Sequence, residues 1–203
     1  MKNGWPMYKT LKYNSKSRWL SYWYQINETL QRNPSSILII GKGSGIVENA
    51  ISIIAPHIRI VTFDINPELS PDVIGDVSCL PFKDSSFDCI LCCQVLEHIP
   101  FETMDDTLKG FARVAKDFVV ISVPHRRKHL KIEIDAPLIG KKIIIMKYPF
   151  KKKEIKSKQH YWEINRGVSY GEFRNVLKKY FTLKKTFLNE IDCVQRFFIL
   201  ECK

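Results

Sequence analysis

The run Ile37-Leu38-Ile39-Ile40-Gly41-Lys42-Gly43-Ser44-Gly45 changes character at residue 41: four apolar positions give way to three glycines at strict alternation. A short, continuously apolar, β-branched stretch is the pattern of a strand buried on both faces, as in a parallel sheet. Beyond the glycines, Ile46, Val47, Ala50, Ile51 and Ile54 mark a helix that stops before Pro56. Upstream, Trp19, Trp23, Ile26 and Leu30 fall at helical spacing, with Pro34 just beyond, and give the apolar stripe of a first helix.

The alternation of strand and helix continues outward from that centre. Ile58 to Phe63 reads as a second strand ending at Asp64, followed by a loop with Pro67, Pro71 and Asp72 and a short extended piece at Val73-Ile74-Gly75-Asp76. Phe87 to Val95 reads as a central strand. A helix follows with Met104, Leu108, Phe111, Ala112 and Ala115 on one face, Asp105 and Asp106 at its start and Lys116 at its end, which suits the helix dipole. Phe118 to Val123 is the next strand, closed by Pro124. Ser169-Tyr170-Gly171-Glu172 has the form of a capping box, with Phe173, Val176, Leu177 and Tyr180 behind it. Two strand-like runs, Thr182 to Leu188 and Val194 to Cys202, close the chain through a short link that favours an antiparallel pair. The expected fold is α/β: a doubly wound, Rossmann-like, mostly parallel seven-stranded sheet with an antiparallel C-terminal hairpin and helices on both faces. We expect one domain over 1–203, with an N-terminal helical cap at 1–35 and an insertion at 126–168.

Composition narrows the function classes. With 45% hydrophobic and 26% charged residues, the chain has the balance of a globular protein. No apolar run reaches the roughly 18 to 20 residues that cross a bilayer, and the first residues lack the apolar core of a secretory signal. A soluble, cytoplasmic protein is the expectation. The net charge of +11 is unevenly placed: residues 126–158 hold twelve Lys or Arg against Glu133, Asp135 and Glu154. Cys79, Cys89, Cys92, Cys93, Cys193 and Cys202 follow no disulfide spacing. Cys89-x-x-Cys92 lies inside an apolar strand that would place its thiols on opposite faces, so we expect reduced thiols and no metal.

In an open α/β sheet, ligands bind beyond the carboxyl ends of the strands. Gly41, Gly43 and Gly45 sit at one such end, where glycine lets the backbone bend and a ligand approach. Asp64 ends the next strand, where a carboxylate accepts hydrogen bonds from both hydroxyls of a ribose. The dinucleotide fingerprint G-x-G-x-x-G would require glycine at Ile46, so a nicotinamide-dependent oxidoreductase ranks below other nucleoside cofactors.

Four motifs in order add a resemblance: the residue 37–45 run, Val61-Thr62-Phe63-Asp64, Gly75-Asp76-Val77-Ser78-Cys79-Leu80-Pro81-Phe82, and Ser86-Phe87-Asp88 leading to Gln94-Val95-Leu96-Glu97-His98. From about residue 36 to 124 the chain resembles the class I S-adenosylmethionine-dependent methyltransferases, closest to the type 11 branch that includes quinone-biosynthesis enzymes. The resemblance implies S-adenosylmethionine as cofactor and S-adenosylhomocysteine as product. It implies that Gly41, Lys42, Gly43 and Gly45 pass beneath the methionine and ribose, and that Asp64 and the adjoining Ile65 hold the ribose end. It further implies Asp76 and Val77 at the adenine and Gln94 at the methionine portion or sulfonium. Family members usually carry Glu or Asp two residues before the first glycine. Here that position is Ile39, which shifts the work onto the loop amides and a residue of the first helix.

Methyl transfer is an in-line displacement in which the protein aligns reactants and excludes water. A nucleophile that needs a base points to His98 and His125, both expected at the carboxyl edge of the sheet, and to His160, which follows the basic segment. The Asn/Asp-Pro-Pro-aromatic run of amino-methylating enzymes is missing, which argues against exocyclic-amine DNA methylation. The basic segment is read as a lid over an anionic or glycan-linked small substrate. A second reading is a peripheral membrane contact through 126–158 that reaches a lipid-linked substrate. Nucleic acid ranks lower, because no RNA-binding motif accompanies the charge. The alternatives to a small-molecule or lipid/glycan-linked acceptor are a non-catalytic cofactor-binding module and a methyltransferase acting on RNA.

Overall fold

The computed structural model describes residues 8, 10–126, 129–137, 140–147, 159–191 and 194–203. In chain order the elements are α1 (Lys16–Leu30), β1 (Ser36–Ile40), α2 (Ile46–Ile54), β2 (Arg59–Asp64), β3 (Val73–Ile74), β4 (Phe87–Cys93) and α3 (Met104–Val114). There follow β5 (Ala115–Pro124), β6 (His129–Ala136), β7 (Gly140–Lys147), β8 (Glu163–Ile164), β9 (Gly167–Val168), α4 (Tyr170–Tyr180), β10 (Phe181–Leu188) and β11 (Gln195–Cys202). Seven strands form one sheet in the order β10-β11-β5-β4-β1-β2-β3. The five strands from β3 to β5 run parallel, and β11 pairs antiparallel with both β5 and β10.

The apolar β1 run is buried at every position, because β2 and β4 flank it and helices cover both faces. Leu38, Ile40, Ile90 and Cys92 pack with α3 and α4 on one face. Ile37, Ile39, Cys89 and Leu91 pack with Tyr22 of α1 and Val47 and Ile51 of α2 on the other. Cys89 and Cys92 therefore lie on opposite sides of the sheet, and burial pushes both thiols well above the ordinary range. Cys193 lies outside the described residues.

Several boundaries and faces differ from the sequence reading. The Trp19–Trp23 stripe of α1 is turned outward, at 53% and 54% exposure, while Tyr22 and Tyr24 go inward. The rotation has a polar cause as well as an aromatic one. The buried carboxylate of Glu28 meets the Lys185 ammonium at 2.6 Å, and Tyr24 packs edge-on against Phe187. Ile54 ends α2 exposed, leaving Val47 and Ile51 as its buried residues. The central strand stops at Cys93, because Gln94 enters the left-handed region at φ 59°. Helix α3 ends two residues early, so Ala115 opens β5 and Arg113 is the basic residue of the last turn; Lys116, on the strand, lies 3.6 Å from Asp88.

The capping box at the head of α4 is complete. Ser169 Oγ accepts from the Glu172 backbone N–H at 3.1 Å, and the Glu172 carboxylate accepts from the Ser169 N–H at 2.7 Å. Within the basic segment, β6 and β7 form a separate antiparallel ribbon that the sequence reading did not foresee. Residues 127–128, 138–139 and 148–158 of that segment, the last with its Lys151-Lys152-Lys153 run, lie outside the described residues. Among the described residues, no helix is long and apolar enough to cross a membrane.

Candidate functional site

The carboxyl ends of β1, β2 and β4 converge on the glycine loop. Gly41, Gly43 and Gly45 all have positive φ (83°, 54° and 73°), so the loop bends in conformations that side-chain-bearing residues resist. Gly41 is doubly constrained, since an added Cβ would run into Val95 Cγ2. The loop is fastened to the neighbouring strand tip: the Lys42 backbone N–H donates to Asp64 Oδ2 at 2.8 Å, and the Asn66 N–H donates to Asp64 Oδ1 at 2.9 Å. Ile65 stands beside this carboxylate, 60% exposed. The Lys42 ammonium turns away, donating to the Ser70 carbonyl at 2.8 Å and lying 3.4 Å from Glu48. A cleft of about 320 Å³ opens there, lined by Gly43, Gly45, Asn49 and Ser70 among others.

Asp76 follows β3 and is exposed; its Oδ1 accepts the Ser78 N–H at 2.9 Å and the Ser78 hydroxyl at 2.7 Å. These hydrogen bonds hold its carboxyl below the usual range. The Val77 side chain is buried in the core, so only its backbone is free to meet a ligand. Gln94, one residue past β4, donates its backbone N–H to the Ser122 carbonyl at 2.8 Å and its Nε2 to Ser122 Oγ at 3.2 Å. Its position and conformation are thus set by β5.

Sequence reasoning did not name the residues that roof the loop. Tyr8 stands over Gly43, with Cε1 at 3.9 Å from where a Cβ would lie, and its phenol is pushed upward by burial and by the charge of Asp64. Tyr22 Oη donates to Asn14 Oδ1 at 3.0 Å and lies 3.3 Å from Ser44 Oγ on the loop. Arg18 packs its guanidinium 3.9 Å from the centre of the Tyr13 ring. The only signal for this roof in the sequence was Ile39, buried in the core, standing where the family that the sequence resembles usually has a carboxylate.

A second group lies at the end of β4. His98 and His160, 62 positions apart, meet edge-on with ring centroids at 4.9 Å. They are brought together because residues 159–162 dock on 97–99. The Tyr161 N–H donates to the Glu97 carbonyl at 2.9 Å, Trp162 Nε1 donates to the Ile99 carbonyl at 3.1 Å, and His98 Nδ1 meets the Gln159 carbonyl at 2.8 Å. His160 Nδ1 lies 2.9 Å from Glu163 Oε1. Burial lowers the His98 pKa below the ordinary imidazole value, which favours the neutral ring at pH 7. Beneath them Glu97 is 1% exposed, and burial raises its carboxyl to about 8. His125 is not part of this group. It is 4% exposed, with Nδ1 accepting from Arg196 Nε at 2.9 Å and Nε2 3.1 Å from the Asn165 amide. Its accepting nitrogen is occupied, so in this arrangement it holds β5 to β11 and the 160s loop.

The first group suits an adenosyl ligand bearing an amino-acid tail. A carboxylate has about four acceptor positions, and backbone amides use two of those on Asp64. Gly41, Gly43 and Gly45 add no side chain to the loop, which leaves room for a ligand to approach the backbone.

Comparisons with known proteins bear on the fold and on residues 38–121. Residues 38–121 match the family model described as a methyltransferase domain. A comparison with curated proteins found no match. Among solved structures, the N-methyltransferase NodS from Bradyrhizobium japonicum WM9, in complex with S-adenosyl-L-homocysteine, is similar at 13% identity and a TM-score of 0.62, covering 100% of this chain and 93% of that one. The PH0226 protein from Pyrococcus horikoshii OT3 is similar at 14% identity and a TM-score of 0.62, covering 98% and 96%. The 1,6-didemethyltoxoflavin-N1-methyltransferase of Burkholderia thailandensis, with 1,6-didemethyltoxoflavin and S-adenosylhomocysteine bound, is similar at 12% identity and a TM-score of 0.62, covering 98% and 84%. At these identities the structural likenesses speak for the fold, and the family match speaks for residues 38–121.

Proposed function

We infer that this chain is a class I S-adenosylmethionine-dependent methyltransferase, of the type 11 branch, that acts on a small-molecule or lipid/glycan-linked acceptor. When bound, the cofactor supplies a methyl carbon on a sulfonium, so the protein's task is to align two reactants and exclude water. The observation that carries the reading is the joint between the first two strands, where the Asp64 carboxylate and the side-chain-free bend are tied by the 2.8 Å hydrogen bond from Lys42 N–H. Asp64 with Ile65 would hold the ribose, Asp76 and the Val77 backbone the adenine, and Gln94 the methionine end. Arg18, on the first helix, supplies positive charge near Tyr8 and Tyr13, where it would face the cofactor's carboxylate.

The acceptor side of the reading rests on the segment beyond β5. The β6–β7 ribbon carries exposed Ile132, Ile134 and Ile144, with Ile132 and Ile144 directly paired in register. Apolar groups set among lysines suit an anionic headgroup or glycan joined to an apolar body. Incubating the protein with methyl-labelled S-adenosylmethionine and separated lipid, glycan, RNA and protein fractions tests the choice. Label in the lipid or glycan fraction, or in free small molecules, supports it; label confined to RNA or protein overturns it.

A further inference from the structure

We propose that Glu97, His98 and His160 form a binding site for a divalent transition-metal cation. One potential ligand atom of each lies within 4.8 Å of the others, the one such grouping among the described residues. Proximity alone would mean little. What points to a ligand is Glu97, whose Oε2 is buried and has no hydrogen-bond partner. An isolated buried carboxylate oxygen is costly to keep dry and unpaired, and native proteins rarely leave one so. Arg18 adds positive charge in the vicinity but makes no hydrogen bond to this oxygen.

The imidazoles are prepared for ligation by their other nitrogens. His98 Nδ1 faces the Gln159 carbonyl and His160 Nδ1 faces the Glu163 carboxylate, and both partners can only accept. Each Nδ1 therefore carries the proton, and each Nε2 presents a lone pair. The His160–Glu163 pair is the carboxylate–histidine arrangement that orients a metal ligand from behind. Glu163 is itself fixed by Arg166 at 3.4 Å and Arg126 at 3.9 Å. Metal–donor distances of about 2.1 Å put neighbouring donors roughly 3 Å apart, so binding draws the three side chains together. Two imidazoles and one carboxylate suit manganese, iron, cobalt or zinc rather than calcium or magnesium. Three protein donors leave positions open for water or for a substrate oxygen.

Titration of the full chain with Co²⁺, followed by its visible absorption, tests the site directly. The expected result is saturation at one Co²⁺ per chain. Binding should weaken at least tenfold in Glu97→Gln and in His160→Gln, and should not change in the control His57→Gln, whose imidazole is exposed elsewhere. Glu163→Gln, which removes the charge behind His160, should weaken binding by about 10- to 100-fold without changing the stoichiometry. Should Glu97→Gln not fold, as judged by circular dichroism, the more exposed His160→Gln decides. No saturable Co²⁺ uptake by the parent chain, or uptake undiminished in His160→Gln, overturns the proposal. The readout involves no cofactor or acceptor, so its failure is separate from failure of the methyltransferase reading.

Discussion

Gly41 bears two constraints that no other residue type satisfies, a φ of 83° and the closeness of Val95. Gly41→Ala is expected to cost about 2 to 4 kcal/mol, adding left-handed strain to overpacking, and to abolish cofactor binding. A urea melt with parallel calorimetry checks both, and an unchanged midpoint would contradict the assignment. Asp72 gives a pH prediction. Its carboxylate accepts the Thr62 hydroxyl and N–H, each at 2.7 Å, and these hydrogen bonds hold it below the ordinary range. A group depressed in the folded state stabilises above its unfolded pKa, about 3.9. The stability difference between the parent and Asp72→Asn should therefore be constant from pH 7 to 5 and shrink as pH falls below about 4. Urea midpoints across that range measure it. At this scale the glycine loop and Asp64 were legible in the sequence, because backbone geometry there demands particular residue types. The meeting of Glu97 and His98 with His160 was not, because only the docking of residues 159–162 creates it.

Strands and the α4 capping box were readable element by element, since each depends on local pattern. The α4 cap is accordingly a clean test: Ser169→Ala should destabilise by about 1 kcal/mol with no change in the urea m-value. A neutral substitution would mean that the observed hydrogen bonds contribute nothing net. The α1 stripe was half right: Ile26 and Leu30 pack against the core, whereas the indoles of Trp19 and Trp23 face outward. In the fold, the aromatic packing of Tyr24 and the Glu28–Lys185 ion pair set the rotation instead. The β6–β7 ribbon escaped notice for a different reason. Lysines and isoleucines alternate irregularly there, and its pairing is made within the insertion rather than against the main sheet.

Across the whole molecule, charge and chemistry are divided. Residues 126–158 carry most of the excess positive charge, while the glycine loop and Asp64 sit at the ends of the first two strands. If the ribbon meets a lipid surface through Ile132, Ile134 and Ile144, binding to anionic vesicles should survive moderate salt and be lost on Ile132→Ser/Ile144→Ser. Phosphate tracking would instead fall steeply with salt and ignore those substitutions. Co-sedimentation across a salt series separates the two.

The adenosyl pocket at the β1–β2 joint is the claim on which the function rests. Isothermal titration of S-adenosylhomocysteine into the parent protein and into Asp64→Ala addresses it most directly. One site per chain, weakened by at least tenfold in the variant, is the expected result. Absence of binding to the parent, or equal affinity in Asp64→Ala, would contradict it.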